Sequence, residues 1–97
     1  DAEVIDVATI KPLDMETILT SVEKTGRCVI VHEAARTCGV GAEIAANLVE
    51  HGLTSLLAPV VRVTGYDTIM PLYKQENLYM PSVDKILAGV KKVLEYS

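Results

Sequence analysis

Arg27-Cys28-Val29-Ile30-Val31-His32 places four consecutive apolar residues between two polar ones. An unbroken apolar run of strand length implies cover on both faces, as in a parallel sheet lying between helices. The period then changes. After a short loop over residues 33–38, a helix from Gly39 to His51 puts Val40, Ile44, Ala45, Leu48 and Val49 on one face. Gly52 follows as the expected left-handed stop. A doubly covered strand, a short loop and an amphipathic helix form the repeating unit of a parallel α/β sheet.

The same grammar extends in both directions. Upstream, Asp14 is a natural N-cap for a helix carrying Met15, Ile18, Leu19 and Val22 at helical spacing, and Gly26 is its left-handed stop. Before Pro12, the β-branched residues around Val4 to Val7 suggest a first strand. Downstream, Leu53 to Leu57 allows one more turn, Pro59 resets the chain, and Val60 to Thr64 reads as a third strand with Arg62 at an edge. Residues 65–81 form a long irregular stretch with Pro71 and Pro81. Ser82 then caps a last helix with the stripe Val83, Ile86, Leu87, Val90, Val93 and Leu94. The expected fold is α/β, a three-layer α/β/α arrangement around a mostly parallel sheet with right-handed crossovers. Three strands are few for such a sheet. The first strand follows no helix, and the chain opens on Asp1 almost directly in an apolar run. Both features suggest a segment of a longer polypeptide, lacking a strand and helix upstream.

Composition bounds the function. Ninety-seven residues make one domain at most, spanning 1–97. The net charge is −4 with both signs interspersed, and no basic stripe points to nucleic acid. The run Leu56 to Val61 is far too short to cross a membrane, no signal peptide is visible, and the chain reads as intracellular. Cys28 and Cys38 read as free thiols, Cys28 in the core, and neither fits a metal pattern.

Chemistry is sparse. At the carboxyl end of the central strand, Gly39, Gly41 and Glu43 could form an anion-binding turn at a helix start, with His32 as acid or base. The dinucleotide fingerprint needs a third glycine, and position 44 is Ile. Glu43 would oppose a phosphate and better complements the helix dipole. The competing reading is tight turning and close helix–sheet packing at Gly39 and Gly41, with Gly65 closing the next strand. His32 and Glu33 point to opposite faces of a strand and cannot pair. One of them can satisfy loop backbone groups, or support a site on a partner subunit. Asp67 suits a local turn after Gly65. Tyr66, Tyr73 and Tyr79, with Ile69, Met70, Leu72, Leu78 and Met80, are too apolar for a solvated loop. They pack on the domain's own sheet or form an intersubunit contact. No nucleophile motif or Walker lysine occurs, so the segment is expected to be non-catalytic, with no catalytic, cofactor or metal residues of its own.

The ordered pieces resemble one family. Ile10-Lys11-Pro12-Leu13-Asp14, Val31-His32-Glu33-Ala34, Arg36-Thr37 and Gly39 through Glu43 are similar to segments of the β subunit of thiamine-diphosphate-dependent E1 components of 2-oxo acid dehydrogenase complexes. So are Ala58-Pro59-Val60, Arg62-Val63-Thr64-Gly65 and Asp67-Thr68, with Glu76 and Pro81 before a closing helix. Cys38 stands where such sequences commonly carry glycine. The resemblance covers nearly the whole chain and implies a transketolase C-terminal-like domain. It implies an α2β2 enzyme that decarboxylates a 2-oxo acid, pyruvate or branched-chain, and passes the acyl group to lipoyl-E2. Acetoin-cleaving dehydrogenases and other transketolase-like enzymes share the domain. Thiamine diphosphate and magnesium would be bound by the intact enzyme outside this segment. The expected partners are the E1 α subunit, a second β subunit and the E2 subunit-binding domain. His32, Glu33, Arg36, Asp67, Tyr66, Tyr73 and Tyr79 are the candidates for such contacts. The implied compartment is the bacterial cytoplasm, or the mitochondrial matrix in a eukaryote.

Overall fold

A computed structural model describes residues 2–65 and 82–96. In chain order these hold helix α1 (Met15–Thr25), strand β1 (Val29–Ala35), helix α2 (Val40–Gly52) and a 3-10 turn (Leu53–Ser55). Strand β2 (Val61–Gly65) and helix α3 (Val83–Glu95) follow. β1 and β2 pair in parallel, with Val29 opposite Val61, Ile30 opposite Arg62 and Val31 opposite Val63. The ladder is irregular beyond Val31 and resumes with Ala35 opposite Gly65.

Strand alternation assigns the layers. Val29, Val61 and Val63 point to the face where Gly89 of α3 approaches, whereas Ile30 and His32 point to the face where Gly41 of α2 approaches. Helix α1 packs beside α2. The result is the expected three-layer α/β/α arrangement. The main core lies on the α1/α2 side, where Ile18, Val22, Ile30, Ile44 and Leu48 form one buried cluster. A smaller core on the other side holds Val63 and Val93. The Arg27 Nε donates to the Val93 carbonyl at 2.9 Å, tying the start of β1 to the last turns of α3. A guanidinium beside a helix's terminal carbonyls also suits the dipole.

Helix α1 begins and ends as its caps dictate. Asp14 accepts from the Thr17 amide at 3.1 Å and from the Thr17 hydroxyl at 2.7 Å. Gly26 takes φ of 77°, and its N–H reaches the Val22 carbonyl at 2.7 Å. Any side chain at Gly26 would be strained there and would meet the Leu57 side chain. The Thr17 hydroxyl, and then the Thr17 amide, hold the Asp14 carboxyl below its ordinary pKa. A depressed folded-state value means stability that is complete above the unfolded-state value and is lost as pH falls through the folded one. The Tm difference between wild type and Asp14→Ala should therefore be constant above ~pH 5 and close as pH falls below ~4. A difference unchanged down to pH 2 would show that the carboxylate is not the cap.

Five expectations need correction. Residues 4–7 are not a strand; Val4 is 90% exposed, and the segment is held instead by Glu3, which pairs with Lys24 and accepts from the Ser21 hydroxyl. Strand conformation needs a neighbour for its N–H and C=O groups, and none of the described residues offers one there. β1 runs on through Ala35, where a loop from residue 33 was expected, because Ala35 pairs with Gly65. Gly52 has φ of −141° and is not a left-handed stop; it is buried against Leu19, and the chain continues into the 3-10 turn. Cys28 is half-buried rather than fully in the core, and its surroundings still push the thiol pKa up by desolvation. In α3, Gly89 and Val93 are buried, but Val83, Leu87 and Leu94 of the expected apolar stripe are 72%, 59% and 62% exposed.

Candidate functional site

The carboxyl end of β1 and the start of α2 bring His32, Gly39 and Gly41 together. His32 Nδ1 lies 3.1 Å from the Ala34 carbonyl, which can only accept, so Nδ1 donates to it. Nε2 is buried without a partner among the described residues. The ring lies under the first turn of α2. A Cβ on Gly41 would stand 2.6 Å from Nε2, and one on Gly39 would stand 2.9 Å from Cε1 and 2.5 Å from the Ala35 carbonyl. The two glycines thus admit an imidazole and a backbone carbonyl from the same chain. Space that a phosphate would need above them is filled by His32. Among the described residues, the imidazole packs beneath the turn that Gly39 and Gly41 form.

Glu33 points away from that ring and is exposed. Glu43 lies in the first turn of α2, where its carboxylate accepts from Asn47 Nδ2 at 2.8 Å. Cys38, between His32 and Gly39 in the turn, has φ of 61° and is exposed. A Cβ in the left-handed region costs ~1–2 kcal/mol, partly offset by glycine's greater freedom in the unfolded chain. Cys38→Gly is therefore expected to stabilise the protein by ~0.5–1 kcal/mol in urea unfolding. A loss of stability would show that the thiol makes a contact that outweighs the strain.

Arg36 and Arg62 form a second feature, which sequence reasoning did not bring together. Arg36 Nη1 donates to the Arg62 carbonyl at 3.0 Å, and Arg62 Nη1 donates to the Arg36 carbonyl at 2.9 Å. The one sequence signal was an arginine inside the apolar run Val60 to Val63. Gly65 ends β2 and is buried. Asp67, Tyr66, Tyr73 and Tyr79 fall outside the described residues. Among the described residues no cluster of His, Cys, Asp and Glu could hold a metal ion, and no helix is long and apolar enough to cross a membrane.

Comparison with known proteins places this geometry. Residues 1–86 match the family "Transketolase, C-terminal domain". The chain is 53% identical over 95 residues to the 2-oxoisovalerate dehydrogenase subunit beta of Pseudomonas aeruginosa, covering 98% of this chain and 27% of that protein. It is 48% identical over 94 residues to the pyruvate dehydrogenase E1 component subunit beta of Staphylococcus epidermidis, covering 97% of this chain and 29% of that one. The Staphylococcus aureus pyruvate dehydrogenase E1 component subunit beta matches at the same identity, 48% over 94 residues. The chain thus spans between a quarter and a third of the length of these relatives. With parallel strands between helices and a match over residues 1–86, the chain belongs to the transketolase C-terminal domain family.

Proposed function

We propose that residues 1–97 are one domain, the C-terminal assembly and E2-docking domain of an E1 β subunit in a 2-oxo acid dehydrogenase complex. The intact enzyme would decarboxylate pyruvate or a branched-chain 2-oxo acid and transfer the acyl group to lipoyl-E2. Similarity to β subunits of both substrate types, at 53% and 48% identity, supports the complex and leaves both substrates open. Thiamine diphosphate and magnesium would be held by other parts of the enzyme, in the cytoplasm of a bacterium. The partners are the E1 α subunit, a second β subunit and the E2 subunit-binding domain.

The observation that carries the assembly role is an apolar flank left open. Among the described residues β1 has a neighbour on one edge only. Beside that edge Val31 is 44% exposed, and α3 leaves Val83, Leu87 and Leu94 exposed, none of them lining the hollow beside β2. An uncovered strand edge beside a stripe of large aliphatics is a surface built to be covered. A strand and a helix encoded upstream would complete the sheet, and subunit contacts would cover the remainder. The test has two arms. Titration of the 97-residue chain with thiamine diphosphate and magnesium should give no binding in the micromolar range; micromolar binding would overturn the placement of the cofactor outside this segment. Deleting this segment from the intact polypeptide should abolish co-purification with an E1 α subunit, and retained co-purification would sink the assembly claim.

A further inference from the structure

The opposite flank of the sheet has a different character. Along β2 and α3 runs an open groove of about 490 Å³ with an apolar floor of Val61, Val63 and Gly89. Its rim carries Arg36, Arg62, Lys85 and Lys92, four of the nine basic residues in a chain of net charge −4. Among the described residues, no aspartate or glutamate lines it, nor the adjoining hollow that Arg36, Arg62 and Lys92 also border. Positive charge is thus gathered on one flank of an acidic protein.

The arginines are held ready. Among the described residues, each guanidinium commits one N–H to the other residue's main-chain carbonyl, which restrains both side chains while other N–H donors remain on each fork. An arginine fork so fixed loses little freedom on engaging a carboxylate. Lys92 is exposed and lines both hollows beside this pair. A single small anion would not use the apolar floor, which is continuous with the cationic rim. A peptide that alternates acidic and aliphatic side chains uses both.

We propose that this groove docks an extended acidic segment of a partner protein, its carboxylates meeting Arg36, Arg62 and Lys92 and its aliphatic side chains resting on Val61 and Ala88. The site lies on the flank remote from the apolar one, so it does not depend on the assembly role. It also reverses the simplest expectation from net charge, that of a basic partner alone.

The test uses the native polypeptide that carries this chain and a fluorescein-labelled peptide of alternating glutamate and valine, with binding read by fluorescence anisotropy. Saturable binding that weakens with salt is expected. Lys92→Glu, at an exposed side chain, should fold normally and weaken binding, and Arg36→Glu with Lys92→Glu should weaken it about tenfold or more. Lys91→Glu, on the same helix but outside the groove, should change it less than about twofold. Absence of saturable binding overturns the proposal. So does equal weakening by Lys91→Glu, which would indicate nonspecific attraction. Full competition by inorganic pyrophosphate with no contribution from the valines, tested with an alternating glutamate–glycine peptide, would make it a plain anion site and overturn the peptide reading.

Discussion

Leu48→Ala is expected to destabilise the protein by about 3 kcal/mol, within the range seen for fully buried leucines truncated to alanine. Leu48 is fully buried, at 0% exposure, and it sits where α1, α2 and β1 meet, among Ile18, Val22, Ile30 and Ile44. Truncation removes the transfer free energy of the lost carbons and leaves a cavity. Two helices and a strand must relax together to fill it, which limits collapse. In a domain of this size each kcal/mol moves Tm by roughly 4–8 °C, so a fall on the order of 15 °C is expected by differential scanning calorimetry. Val49, one residue on, is 52% exposed, and Val49→Ala should cost well under about 1 kcal/mol. Equal losses at both positions would contradict the placement of the core.

Gly41→Ala is expected to cost about 1–3 kcal/mol, although alanine is the better helix former. The added methyl would stand 2.6 Å from His32 Nε2, 2.7 Å from Cδ2 and 3.3 Å from Ile30 Cγ2. The imidazole cannot turn aside without losing the Ala34 carbonyl at 3.1 Å, so α2 must lift from the sheet. A double-mutant cycle separates this from any general effect of the methyl. In a His32→Ala background, Gly41→Ala should be neutral or slightly stabilising, with a coupling of about 1–2 kcal/mol in urea unfolding. A penalty that persists without the imidazole would mean that the clash is with something other than the ring.

How much of this was legible in the sequence follows from the range of each interaction. Asp14 and Gly26 announced α1, and Ser82 announced α3, because a cap is satisfied within a few residues of its own position. The apolar runs around Val29 and Val61 announced a parallel sheet, because burial on both faces leaves no alternation. Residues 4–7 had strand composition without a strand's partner, and partnership is not a local property. At Gly52 the glycine was visible but its purpose was not, and at Gly41 close helix–sheet packing was legible but not the imidazole that it admits. A left-handed turn and a close approach to Leu19 look the same in a sequence. The stripe on α3 was correctly apolar, yet only the structure shows that Gly89 and Val93 face the sheet while Leu87 and Leu94 do not. Arg36 and Arg62 are 26 positions apart, and nothing in either neighbourhood predicts that each would grip the other's carbonyl. The family itself was legible, because its signature is spread over many short pieces in fixed order rather than concentrated in one site.

That reciprocal grip has one more result. The Val61 amide bonds to the Cys28 carbonyl, so the main-chain groups of Arg62 must turn away from β1, toward the outer border of the sheet. There the Arg62 carbonyl is already occupied by a charged side chain. A strand border blocked by a guanidinium is a poor template for copying itself into fibres. Among the described residues the two borders therefore behave unequally: the edge of β1 is open to another strand, whereas a strand arriving at β2 would first have to displace a guanidinium from the Arg62 carbonyl.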